Sequence, residues 1–430
     1  MRPATVVTGM GVVAPTGFGA REHWANTVRG VSAIGRITRF NPERYTSKLA
    51  GEITGFVPRE HLPGRLLPQT DYMTQLALVA ADWALRDAAI DPSTLPEFGM
   101  GVVTASSAGG FEFGHRELEK LWSKGPEHVS AYQSFAWFYA VNTGQISIRH
   151  GMRGPSGVVV TGQAGGLDAV AQARRALREG IPAMIGGAVD GSPCPWGWVA
   201  QLASGRISTS EDPTRAYLPF DTDAAGYVPG DGGALFVLES EDTARVRGAS
   251  LWHGEIAGYA ATFDPAPGSG RPPTLRQAIE LALTEAGLAP GEVGVVFADG
   301  AGLPELDRIE ADALRAVFGP YGVPVTVPKT MTGRLSAGGA ALDLATALLT
   351  LRHGEIPPTA NVSNPVPEYE LDLVLRPRQV AAGAALVVAR GHGGFNAAMV
   401  VTRRRRSARY DKKEDNIERV NTDQPDQYNA

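Results

Sequence analysis

Short apolar runs punctuated by glycine recur along the whole chain and set the strongest limit on its fold. TVVTGMGVV, MGVVTASSAGG, GVVVTGQAGG, AMIGGAVDG and GGALFVLE come first, then VGVVFADGAG, VPVTVP, AALVVARGHGG and AAMVVTR. Unbroken apolar runs of this length suit strands covered on both faces. Between them stand helical patterns. QTDYMTQLALVAADWALRDAAI carries a Thr or Asp cap, TLRQAIELALTEAGL ends on glycine, and GGAALDLATALLTLRHGE is apolar enough for a buried central helix. Strand and helix alternate throughout, so the expected fold is α/β in layers.

The pattern also repeats. MGVVTASSAGG and VGVVFADGAG are each a strand followed by a turn of small polar residues, with a long amphipathic helix before and a helical segment after. A chain of 430 residues is long enough for two such units. The expected division is residues 1–250 and 251–402, with the change of pattern in ESEDTARVRGASLWHG, and a disordered tail at 403–430. That tail is mixed in charge and poor in apolar residues, and its RRRR run reads as solvated.

Composition excludes several classes of function. A net charge of -5 argues against bulk electrostatic binding of nucleic acid, and no apolar run is long enough to span a bilayer. The N-terminus MRPATVVTGMGVVAPTG reads as a strand and turn and not as a signal peptide. The single Cys194 rules out an internal disulfide and suits a cytoplasmic protein. The histidines are scattered, without ligand spacing for a metal, and no glycine-rich turn fits a nucleotide fingerprint, so no metal or cofactor is expected.

GVVVTGQAGGLDAVAQARRALREG reads as a strand, a tight turn and an amphipathic helix, with Gln163 at the tip. Such elbows present a Ser or Cys nucleophile where the unpaired N–H groups of the helix stabilise negative charge. An amide has no nucleophilic lone pair at neutral pH, so the scaffold of a covalent catalyst stands here without its nucleophile. Cys194, in DGSPCPWGW, has no elbow and no neighbouring histidine, and reads as an inert small hydrophobe.

To about residue 402 the chain resembles the β-ketoacyl synthases of the thiolase fold, and more narrowly the chain-length factors of bacterial type II aromatic polyketide synthases. The resemblance implies two similar halves in a layered α-β-α-β-α architecture. Active ketosynthases carry a Cys at the elbow, a His in a His-Gly-Thr-Gly-Thr segment, and a second His five residues after a Lys. VTGQAGGLDA puts Gln163 at the first position. FADGAGLPELD puts Asp299 at the second. PKTMTGRLSAGG keeps Lys329 and puts Arg334 at the third, while the closing glycine motif GHGGFNAA survives around Phe395. Three losses in an intact frame imply a degenerate pocket of Asp299, Lys329, Arg334 and Phe395. Asp299 and Arg334 are expected to pair and fill it, with Lys329 joining them.

By the same resemblance, the protein pairs with an active ketosynthase as a heterodimer. Together they would hold the polyketide chain brought on the phosphopantetheine of an acyl carrier protein. Its own contribution would be a tunnel whose depth limits chain length, with no elongation chemistry. The depth-setting positions fall on GGFEFGHRELEKLW as Phe111, Gly114 and Leu118, spaced by three and four and so on one helical face. Gly114 is expected to leave the tunnel wall open, which implies a chain of the decaketide class. The aromatic stretch SAYQSFAWFYAVNTGQISIRHG is expected at the subunit interface. The alternative is a decarboxylase that makes an acetyl primer from malonyl carrier protein through Gln163, as related loading ketosynthases with Gln at the elbow do. Those relatives usually retain both histidines, which this chain lacks.

Overall fold

The computed structural model describes residues 4–403, and the tail expected from residue 403 onward otherwise lies outside the described residues. The first half contains β1 (Thr5–Ala14), α1 (Tyr72–Asp87), β2 (Met100–Ala105), α2 (Phe111–Lys124), α3 (Val141–His150), β3 (Ser156–Val159), α4 (Gly165–Arg178), β4 (Ala183–Asp190), α5 (Pro195–Leu202) and β5 (Gly232–Ser240). The second contains β6 (Gly254–Phe263), α6 (Leu275–Ala286), β7 (Val295–Phe297), α7 (Pro304–Phe318), β8 (Pro324–Thr326), α8 (Ala337–His353), β9 (Asp372–Leu373), β10 (Ala384–Arg390) and β11 (Phe395–Thr402).

The halves share one topology. Strands of the first lie in the order β3-β2-β4-β5-β1 and those of the second in the order β8-β7-β10-β11-β6, with β9 added at the outer edge. β2 runs parallel to β3 and β4, as β7 does to β8 and β10, while β5 and β11 each run antiparallel to both their neighbours. β2 and β7, the two segments whose sequences echo one another, occupy the same place in this order. The sheets join along a short seam, where Val6 pairs with Glu255 and Val7 with Gly254.

Helices α4 and α8 pack together between the sheets, α1 and α3 cover the outer face of one, and α6 and α7 cover the other. This is the expected five-layer α-β-α-β-α arrangement. α8 is buried at every position from Ala337 to Leu351, as its nearly all-apolar sequence requires. Each of its buried leucines contributes about 1.5–3 kcal/mol. Its close approach to α4 needs Gly166, where a Cβ would stand 2.7 Å from the Ala337 carbonyl oxygen. Helix ends also follow the sequence: Asp71 caps α1, and Gly287 and Gly354 end α6 and α8 in left-handed conformations. Among the described residues no helix is long and apolar enough to cross a membrane.

Candidate functional site

β3 delivers the chain into a turn at Thr161 and Gly162, and α4 begins at Gly165. Gly162 takes φ +59, which glycine adopts without a steric penalty. Asp168 braces the elbow from the first turn of α4. It accepts the Thr161 hydroxyl at 2.5 Å and, across the halves, the Tyr259 hydroxyl at 2.7 Å. Gln163 sits half-buried at the tip, as the elbow pattern implies. Its Oε1 lies 3.0 Å from where a Cβ on Gly339 would stand, so the bare glycine in α8 makes room for the amide. The Gln163 amide has no hydrogen-bond partner among the described residues.

Just beyond β7, Asp299 meets Arg334. Arg334 Nη2 donates to the two carboxylate oxygens at 3.0 and 2.9 Å, and Nη1 donates to the Asp299 and Gly300 carbonyls at 3.1 and 3.3 Å. The Arg390 N–H adds a bond to the same carboxylate at 3.1 Å. Glu310 on α7 accepts the N–H groups of Asp299 and Gly300 at 2.7 and 2.9 Å. Both partners of the pair are almost wholly buried. Burial works against the Arg334 charge, but the Asp299 carboxylate beside it outweighs that and holds the guanidinium charged. Burial, with Asp299 close by, raises the pKa of the Glu310 carboxyl.

Three expectations about this region need correction. First, Lys329 stays out of the Asp299–Arg334 pair: its Nζ donates to the Ala298 carbonyl at 2.9 Å and forms an ion pair with Asp343 of α8. Asp343 is the only charged residue in a long buried run, and that isolation was a signal that it needed a partner. Second, the pair does not fill the pocket. A cleft of about 1420 Å³ remains, with Gln163, Asp299, Arg334 and Phe395 on its walls, while Lys329 lies beneath them. Arg206, Tyr227, Arg390 and the loop at 264–271 complete it, none of them singled out from the sequence. Phe395 stands edge-on to Phe263, with ring centroids 5.0 Å apart.

Third, Gly114 does not leave an open wall. Phe111 stacks on Trp196 with centroids 4.7 Å apart and planes 11° apart, and a Cβ on Gly114 would lie 3.2 Å from Trp196 Cζ3 and 3.5 Å from Trp137 Cβ. The missing side chain is therefore occupied by Trp196, which lies far away in sequence. Leu118 is exposed further along α2. Phe111, Gly114 and Leu118 are not on the walls of the cleft that holds Gln163, so the site residues form two separate groups.

The aromatic stretch divides. Val141, Asn142, Thr143 and Ile146 on α3 are buried, whereas Trp137, Phe138 and Tyr139 just before them are 43%, 38% and 41% exposed beside Gly109 and Gly110. With Trp196, Leu118 and Val199 they make an apolar surface around α2, uncovered in the single subunit. Cys194 is buried at the start of α5, where its Sγ accepts the Gly197 N–H at 3.4 Å. Burial pushes its thiol up to about 11, which removes the thiolate a nucleophile needs.

The family models of the β-ketoacyl synthase N-terminal and C-terminal domains match residues 3–244 and 253–363. The tetracenomycin polyketide synthase ketoacyl synthase beta subunit of Streptomyces glaucescens is 61% identical over 400 residues, covering 93% of this chain and 98% of its own. Among solved structures, the ishigamide ketosynthase/chain length factor superposes with a TM-score of 0.85 at 27% identity, covering 94% of this chain and 100% of that one. A type II acyl-carrier protein in complex with its ketosynthase bound to the hexaketide gives a TM-score of 0.83 at 27% identity, with the same coverage of both chains.

Proposed function

The chain belongs to the β-ketoacyl synthase family, and from that premise we propose that it is the chain-length factor of a type II aromatic polyketide synthase. One observation carries this reading: Gln163 stands at the nucleophile position, and the other two catalytic positions are joined in the buried Asp299–Arg334 pair. Elongation needs a thiolate to hold the growing chain and neutral donors to stabilise an enolate. Gln163 supplies no thiolate. Asp299 is a carboxylate, which repels a developing enolate, and Arg334 spends its Nη1 and Nη2 donors on Asp299 and Gly300. The chemistry therefore belongs to a partner.

That partner is an active ketosynthase, docked as a heterodimer on the aromatic surface around α2. The exposed edge strand β3 adjoins this surface through α3 and offers unpaired backbone groups. An acyl carrier protein delivers the chain on its phosphopantetheine, and the growing end runs towards Phe111, Gly114 and Leu118. Leu118 carries less bulk than an aromatic residue would, which supports a product of the decaketide class, with Trp196 packed over Gly114 as the nearest stop. The assembly works in the cytoplasm.

A second reading is favoured by one feature. The open cleft and the free Gln163 amide suit a carboxamide that polarises a malonyl thioester for decarboxylation to an acetyl primer. Gln163→Ala in the complex separates the two. Unchanged product yield from malonyl carrier protein is expected for the chain-length factor. Loss of acetyl priming, rescued by added acetyl carrier protein, would assign the decarboxylase.

A further inference from the structure

We propose that Asp71 is a positioning residue that fixes the register of α2 beneath Trp196, and through it the length limit of the product. The inference rests on the chain-length reading above. α2 has no side-chain cap of its own, because Gly110 occupies the N-cap position. The remote Asp71 supplies one instead, accepting the Phe113 N–H on Oδ2 at 2.7 Å. Its other oxygen, Oδ1, accepts the Met73 N–H at 2.8 Å and caps α1. One buried carboxylate thus closes two helices that begin 39 residues apart (111 − 72), and only α1 is packed firmly on the sheet.

A second contact from the same place acts in the same direction. The Arg39 guanidinium lies 3.7 Å from the Tyr72 ring centroid and pairs with Glu112 of α2 at 2.5 Å. On the other side, the approach to α2 is held by the Gly110 N–H bonded to the Trp137 carbonyl at 3.0 Å. Register matters because each residue advances a helix by about 1.5 Å and turns it by about 100°. Gly114 is the position that admits Trp196, with only 3.2 Å between Cζ3 and a would-be Cβ. A slip of one residue would bring Phe113 or His115 against the indole, and the stack on Phe111 would be lost. The bond at Phe113 N–H is what opposes that slip. It is a charge-assisted bond in a buried site, the stronger kind.

The test uses the full complex with the cognate ketosynthase and malonyl-loaded carrier protein. Asp71→Ser keeps a hydroxyl to cap α1 but is too short to reach Phe113. Asp71→Asn keeps the acceptor for Met73 and turns its amide N–H groups towards the Phe113 N–H. Both are expected to assemble one-to-one and to raise the ratio of off-length to main polyketide by about tenfold, from loss of a bond to a charged group. A purely structural residue would lower yield and leave that ratio alone. An unchanged ratio in both variants, while Gly114→Phe shortens the product, overturns the role of Asp71 and leaves the chain-length reading intact. No change with Gly114→Phe either removes the placement of the length limit on α2. Failure of both Asp71 variants to fold would also overturn the proposal, because it would make Asp71 a stability residue of α1.

Discussion

The two groups of site residues are opposites. Around Asp299 and Arg334 the charges are buried and satisfied: carboxylate, guanidinium, backbone N–H groups and carbonyls bond to one another. Around α2 large apolar rings lie uncovered, with Trp137 and Tyr139 both more than a third exposed. The first region has lost its reactive groups and kept its frame. The second shows exposed apolar surface of the kind that marks an interaction site. On the proposed reading, one region records the chemistry this subunit gave up, and the other is where it meets the subunit that performs it.

The sharpest way to break this contrast is to unbalance the buried pair. Arg334→Ala leaves the Asp299 carboxylate buried and unpaired, and about 3–5 kcal/mol of stability should be lost. Replacing both together, Asp299→Leu with Arg334→Met, should restore most of it; chemical denaturation of the isolated subunit reads both. If the double variant is no better than the single, the two residues do not act as one electrostatic unit.

The exposed region should respond in the reverse way. Trp137→Ala is expected to weaken binding of the ketosynthase by at least about 2 kcal/mol, roughly 30-fold, as a central aromatic at an interface would. The melting temperature of the isolated subunit should change little by comparison. Calorimetric titration of the partner checks this, and an unchanged affinity would place the interface elsewhere.

Trp196→Ala sharpens the account of α2. Removing the indole empties the space above Gly114 and beside Phe111, so products longer than those of the wild type should appear by mass spectrometry, with assembly retained. A shorter product would mean that the ring supports the tunnel instead of closing it.

The smallest effect is on pH dependence. Burial pushes the carboxyls of Asp231 and Asp307 up to about 7, above their unfolded values, so the folded state binds more protons there than the unfolded chain. That stabilisation is fully present only below the unfolded value of 3.8 and is lost progressively as pH rises from there through about 7. His23, lowered to about 4 by burial, works the other way below its unfolded value. Two carboxyls outweigh one imidazole, so the subunit should melt at a higher temperature at pH 6 than at pH 8; the reverse order would show that these carboxyls are charged in the fold.

Much of this was legible in the chain, and the gaps have physical causes. The apolar runs became strands because a sheet covered on both faces needs no polar alternation. β6 escaped that criterion because burial alternates along Gly254–Tyr259, so it never forms an unbroken apolar run. Gln163, Asp299 and Arg334 could be found because a local motif frames each one. Trp196 could not, since stacking on Phe111 joins residues 85 apart (196 − 111) with no shared pattern. Nor could the open cleft, because side-chain identity at Asp299 and Arg334 says that they pair and nothing about the volume left beside them. Asp71 was readable as a helix cap, but its second oxygen serves a helix that only the tertiary fold brings near.

The most direct test of the central claim is to purify this subunit alone and as a complex with its ketosynthase, supply malonyl-loaded carrier protein, and analyse the products by mass spectrometry. The account predicts that the subunit alone forms no carbon–carbon bond and that a one-to-one complex makes a single long poly-β-ketone. Elongation by the isolated subunit, or a ketosynthase that makes the same product length without it, would contradict the account.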